Sequence, residues 1–272
     1  MPELKHCIFD KGMGTVAFSQ AGHGPPLLLL HGFPEFRGIW RTVANDLADR
    51  FSLVMPDFPG VGESAAPMQP GDMRADRLGG QLGALMADLG YQRYGIVAHD
   101  VGAVAGWWLA ATRPEEVSGL ALVGAVAPLD YLAAVPSLDA EGRRAHVSKL
   151  LAGDPTFLSP ETLFGWLADP ALRSELVQAL KSGSVPAMQA LYQQNLTADA
   201  ESFWTDLHTP AMLCRILGKE DPFLPPDLFA TGHGRTICLD GGGHFLPTAH
   251  AEPLARHIAE FFDAVDKMEQ TR

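Results

Sequence analysis

Cysteine is scarce in this chain. Cys7, Cys214 and Cys238 are the only three, an odd number without the spacing of a metal site or a disulfide framework. Each reads as a small apolar residue in a reducing compartment. Basic residues are also few, 20 Lys and Arg against 32 Asp and Glu, for a formal net charge of -12. Long-range repulsion from that surplus opposes nucleic acid and anionic membrane surfaces, so neither is expected as a partner. No 18-residue apolar run and no basic-then-apolar leader is seen, and both absences point to a cytoplasmic protein without a spanning helix. Tyrosine is limited to Tyr91, Tyr94, Tyr131 and Tyr192. Any role that needs a phenol therefore falls on one of these.

The chain does have apolar material for one large core, 47% of its 272 residues. Short apolar runs at Pro25 to Leu30, Phe51 to Met55, Gly95 to Ala98 and Leu120 to Val123 have the length and two-sided character of buried parallel strands. Helical patterns such as Arg77 to Leu89 and Val101 to Ala111 fall between them. This alternation predicts a doubly wound α/β core. After Ala127-Pro128 the rhythm becomes helical and Pro-punctuated, at Glu141 to Ala152, Pro160 to Ala168 and Ala171 to Leu180. Strand-like runs resume at Ala211 to Leu217 and Thr236 to Leu239, followed by an amphipathic helix over Glu252 to Asp266. The expected organisation is core over 1-128, a helical cap over 129-206, and core again over 207-272.

Four loops carry chemistry, and each directly follows a predicted strand. Ala98-His-Asp100-Val-Gly102 places an acid at a strand-to-helix turn with small residues two before and two after, as a nucleophile elbow requires. His31-Gly-Phe33-Pro34 turns at a neighbouring strand end. There the Phe33 amide and the Val101 amide could together hold an oxyanion. Gly218-Lys-Glu220-Asp221-Pro offers two carboxylates, with Asp221 preferred over Glu220 as the acid that orients a histidine. Gly241-Gly-Gly-His244 gives the backbone freedom to bring an imidazole over the sheet edge, so His244 is the expected general base. The Asp57-Phe-Pro-Gly-Val-Gly-Glu-Ser64 loop lacks the G-x-G-x-x-G spacing of a dinucleotide site. It is read as structural support.

With these residues in place the chain resembles the α/β-hydrolase superfamily, and its H-G-F-P and H-D-V-G motifs resemble the epoxide hydrolase and dehalogenase branch. The resemblance implies a mostly parallel eight-stranded sheet flanked by helices, with a helical cap. It also implies an Asp100-His244-Asp221 triad without metal or organic cofactor. The chemistry agrees independently. An ionised Asp100 needs no base to attack, and attack on saturated carbon gives a stable alkyl ester, whereas attack on an acyl carbon gives a reactive anhydride. His244 is then needed to activate the water that hydrolyses the ester.

The leaving group is weighed on the family pattern. Haloalkane dehalogenases typically carry Trp directly after the nucleophile, where this chain has Val101. Fluoroacetate dehalogenases carry arginines one and four places after it, where this chain has Val101 and Val104. Epoxide hydrolases hold the departing oxygen with two cap tyrosines, or with a histidine and a tyrosine. Tyr192 is the expected donor of that kind, and either Tyr131 or His146 is its partner. The leading expectation is an epoxide hydrolase acting on a small, uncharged, apolar molecule. A dehalogenase with the same two steps comes second and a hydrolase-like binding module third; homodimer formation is left open.

Overall fold

Leu28, Leu29 and Leu30 have no exposed surface at all, as expected for a strand covered on both faces, and each such side chain contributes roughly 1.5–3 kcal/mol through burial. The computed structural model describes residues 3–11, 14–181, 185–229 and 234–271. Its eight strands are β1 (Lys5–Asp10), β2 (Thr15–Ala21), β3 (Pro26–Leu30), β4 (Ser52–Pro56), β5 (Tyr94–His99), β6 (Val117–Val123), β7 (Leu213–Gly218) and β8 (Arg235–Leu239). They form one sheet in the order β1-β2-β4-β3-β5-β6-β7-β8. β1 and the β2/β4 pair are antiparallel, and every other pairing is parallel. The strand order reverses around β3: the chain steps outward to β4, then returns past β3 to β5. In such sheets ligands bind at the carboxyl edge beside the reversal.

Alternation along the strands separates two cores. Leu28, Leu30, Ile96, Ala98, Leu120 and Leu122 face α2 (Ala75–Asp88) and α3 (Gly102–Thr112). Leu27, Leu29, Val97, Ala121 and Val123 face α1 (Arg41–Leu47) and, through Leu254, Ile258, Phe261, Phe262 and Val265, a long helix over Ala251–Gln270. Those five recur at helical spacing on one stripe of an otherwise polar helix. β1 was not legible as a strand, because it is an edge strand with only Phe9 buried and no alternating face.

Between β6 and β7 lie α4 (Pro128–Ala140), α5 (Ala145–Ala152), α6 (Pro160–Phe164), α7 (Pro170–Ala179), α8 (Val185–Asn195) and α9 (Glu201–Thr205). The single helix expected over Glu141 to Ala152 is shorter, starting at Ala145, because Gly142 takes a left-handed conformation (φ 72°) just after α4 ends. α4 itself runs through Pro136, which sequence reasoning treats as a break. α6 and α7 start on side-chain caps. Ser159 accepts the Thr162 N–H, and Asp169 accepts those of Ala171 and Leu172. Buried Asn195 ties these helices to the core. Its carbonyl oxygen accepts the Ala75 N–H at 2.8 Å, and its amide nitrogen donates to the Met73 carbonyl at 2.7 Å.

Candidate active site

β5 ends on His99, and Asp100 follows with φ 51°, a left-handed conformation that is uncommon for a residue with a side chain and costs roughly 1–3 kcal/mol. The strain is held by close packing of the next loop. A Cβ on Gly102 would lie 2.7 Å from the His31 carbonyl oxygen, and one on Gly32 would lie 2.5 Å from the Asp100 Cβ. Only glycine permits either approach. The interlocked loops present the two Asp100 oxygens differently: Oδ1 accepts the Phe33 N–H at 3.0 Å, and Oδ2 lies 3.4 Å from His244 Nε2. Val101, whose amide is next in the chain, is the N-cap of α3.

Two more of the expected site residues lie just past the ends of β7 and β8. His244 Nδ1 donates to Asp221 Oδ2 at 2.8 Å, while Asp221 Oδ1 accepts the N–H groups of Phe223 and Leu224 at 2.8 and 3.0 Å. The buried carboxylate is thus used on both oxygens, and it fixes the imidazole with Nε2 towards Asp100. Glu220, the alternative acid, is exposed. A Cβ on Gly218 would meet the Gly242 carbonyl oxygen at 2.0 Å, so glycine there lets the two loops meet.

The charges are strongly coupled. Burial alone would push the Asp100 carboxyl up, but the His244 hydrogen bond and charge, helped by His99 and the Phe33 amide, hold it well below the usual carboxylate range. Burial alone would lower His244, yet its bonds to Asp100 and Asp221 and their charges raise it to about 10. Each group thus favours the charged form of the other.

Two further residues of the motifs, His99 and His31, have roles that the sequence does not reveal. His99 Nδ1 lies 2.7 Å from Glu35 Oε2 and His99 Nε2 donates to the His244 carbonyl at 3.0 Å. Burial disfavours charge on His99, but Glu35 outweighs it and the pKa is raised. Both His99 ring nitrogens thus face acceptors directly behind Asp100. His31, buried and held neutral chiefly by burial, donates Nδ1–H to the Gly32 carbonyl and accepts the Phe58 N–H at Nε2. It clamps the H-G-F-P turn to the loop after β4, which Asp57 braces through Arg37 and the Glu63 amide.

Asp100 and His244 open into a cavity of about 180 Å³ whose wall is largely apolar, including Val101, Val104, Phe157, Leu196, Phe223 and Phe245. Its roof is formed by the helices between β6 and β7, and Tyr131, Arg144, His146 and Tyr192 all line it. Tyr192 is 4% exposed; burial, with the Asp100 charge adding to it, pushes its phenol well above 10. His146 packs against Phe223 at 4.4 Å between ring centres, and burial lowers its pKa. Tyr131 accepts a hydrogen bond from Arg144, which sequence reasoning missed altogether. Trp107 is a core residue. Among the described residues no group of His, Cys, Asp and Glu suits a metal ion, and no helix is long and apolar enough to cross a membrane.

The α/β hydrolase fold family matches residues 25–227. The chain belongs to that family. As an α/β-hydrolase it is similar over nearly its whole length to a fluoroacetate dehalogenase from Burkholderia sp., 30% identical over 294 residues, covering 97% of this chain and 96% of that protein. It is also similar to a soluble epoxide hydrolase from Corynebacterium sp., 36% identical over 100 residues, covering 37% of this chain and 34% of that protein. In fold it matches a candidate epoxide hydrolase from Pseudomonas aeruginosa with a TM-score of 0.82, at 23% identity over 98% of both chains. The relatives of this α/β-hydrolase are thus hydrolytic enzymes of the branch expected from its motifs.

Proposed function

We propose that this α/β-hydrolase opens an epoxide to a vicinal diol through an alkyl ester on Asp100. The observation that carries the reading is the elbow carboxylate, with Oδ1 held by the Phe33 amide, in a cavity that two phenols, Tyr131 and Tyr192, also line. Asp100 Oδ2 attacks a ring carbon, the carbon–oxygen bond breaks, and the departing oxygen takes the electron pair and a proton from a cap phenol. Esterification removes one of the two charges that hold the His244 proton; that proton passes on to restore the phenol, and the neutral imidazole then removes a proton from water as it attacks the Asp100 carboxyl carbon. The resulting oxyanion falls on Oδ1, where the Phe33 amide already lies and the Val101 amide joins it. Collapse breaks the bond from that carbon to Oδ2, which takes the proton held by His244, and the carboxyl left on Asp100 returns its own proton to the imidazole. The diol therefore leaves with an oxygen from Asp100, and the water oxygen stays in the enzyme.

The similarity to a fluoroacetate dehalogenase favours halide displacement as a second reading, since the two steps are the same. Val101 and Val104 both line the cavity, however, and supply neither a halide donor nor a cation for a substrate carboxylate. The apolar wall supports a small, uncharged substrate, with neither nucleic acid nor membrane as partner and a homodimer left open. Residues 129-206 act as the cap. Three unpaired cysteines, Cys7, Cys214 and Cys238, fit the cytoplasm.

A panel of epoxides and haloalkanes tests the reading: diol formation from an epoxide is expected, and halide release with no diol from any epoxide would reverse it. Within that panel, Tyr192→Phe should slow epoxide alkylation by roughly 10²-fold, because the phenol's bond to the departing oxygen strengthens in the transition state. An unchanged single-turnover alkylation rate would remove Tyr192 from the step.

A further inference from the structure

We propose that Arg144, fixed by Asp139, is a positioning residue that makes the Tyr131 hydroxyl the second leaving-group donor beside Tyr192. The inference rests on the epoxide reading and assigns the partner that the family pattern leaves open. Arg144 Nη1 contacts both Asp139 carboxylate oxygens at 2.9 Å, and its Nε–H donates to the Tyr131 phenol oxygen at 2.9 Å. A guanidinium has donors only. The phenol oxygen must therefore accept, and its own proton cannot point at Arg144, so it is left for the cavity that Tyr131 lines. A cation at the phenol oxygen also stabilises developing phenolate. Burial pushes the Tyr131 pKa up, and the Arg144 bond pulls against that rise.

The hydrogen bonding of His146 favours Tyr131 over it for this role. Its Nδ1 lies 3.1 Å from the Arg143 carbonyl, and a carbonyl only accepts, so Nδ1 carries the proton. Burial disfavours a second proton on the ring, which leaves Nε2 with a lone pair in the favoured form. It can accept from a hydroxyl or water but cannot donate to a forming alkoxide. A phenol donor whose oxygen is held by a cation suits an alkoxide, a strong base, better than a halide, a weak acceptor. Arg144 thereby becomes a determinant of which leaving group is handled.

The test is a double-mutant cycle on single-turnover alkylation by styrene oxide, using Arg144→Ala, Tyr131→Phe and the pair. Arg144→Ala should slow alkylation roughly tenfold or more, the size of a lost charge-assisted bond. It should add nothing in the Tyr131→Phe background and leave ester hydrolysis unchanged. Asp139→Asn, at a carboxylate that is 49% exposed and outside the core, should act in the same direction but more weakly. An equal loss in both backgrounds would overturn the proposal, because Arg144 would then act on substrate or on the fold.

A substrate-free arm follows the four tyrosines by ¹³Cζ resonances in a pH titration. The resonance missing from Tyr131→Phe should titrate at higher pH in Arg144→Ala than in wild type. An unmoved resonance overturns the coupling. A moved one without turnover of any epoxide removes the leaving-group role and the epoxide reading together, while the Arg144–Tyr131 bond stands.

Discussion

Replacing His244 with Gln is expected to stop the enzyme after a single event and leave it alkylated. Asp100 attacks without giving up a proton, so alkylation survives; hydrolysis loses its base and should fall by roughly 10²–10⁴-fold. Glutamine keeps a polar group of similar reach beside Asp100 but cannot take a proton from water. Intact-mass spectrometry after addition of an epoxide should show one substrate mass added, and peptide mapping should place it on the segment that holds Asp100. Full turnover, or a variant that stays unmodified at saturating epoxide, would remove His244 from the role of hydrolytic base.

Asp221→Asn is expected to be almost as damaging, though it moves no heavy atom far. In the wild type His244 Nδ1 donates to Asp221 at 2.8 Å, which leaves Nε2 to act as the base. An asparagine can present its amide N–H to Nδ1 and so favour the tautomer with the proton on Nε2. That tautomer cannot accept from water. The loss in the hydrolytic step should be on the order of 10⁴-fold, as for the equivalent change in a triad, with a much smaller effect on alkylation. Rapid-quench measurement of the two steps separates them. Equal slowing of both would mean that Asp221 serves the fold of the loop through the Phe223 and Leu224 amides rather than the histidine.

Asp100, His244 and Asp221 were legible because each lies just past a strand that is apolar in sequence, and because small residues flank the turns. Chain order and strand position admitted both Asp221 and Glu220, and the sequence offered nothing that separates them beyond the choice of Asp221. The structure gives a local reason: an Asp before Pro222 can bond the amides two and three residues on, whereas Glu220 faces solvent. Pairings between distant segments were not legible. Glu35 and His99 are 64 positions apart, and nothing local to either residue marks the other. Arg144 was hidden for a different cause: an arginine just before a helix looks like ordinary surface, and its link to Tyr131 depends on where α4 ends. That end is set by Gly142, and reading Glu141 to Ala152 as one helix moved it. The N-terminal hairpin was missed because β1 buries one side chain and β2 buries Val16, Ala17 and Phe18 in succession, so neither shows a period of two.

A single turnover of excess wild-type enzyme with an epoxide in ¹⁸O water bears most directly on the central claim, that Asp100 is alkylated and then released by attack of water on its own carboxyl carbon. The account predicts ¹⁸O in the Asp100 carboxylate and an unlabelled first diol. Label in the diol with none in the Asp100 peptide would mean that water attacks the epoxide directly, and would contradict Asp100 as the nucleophile.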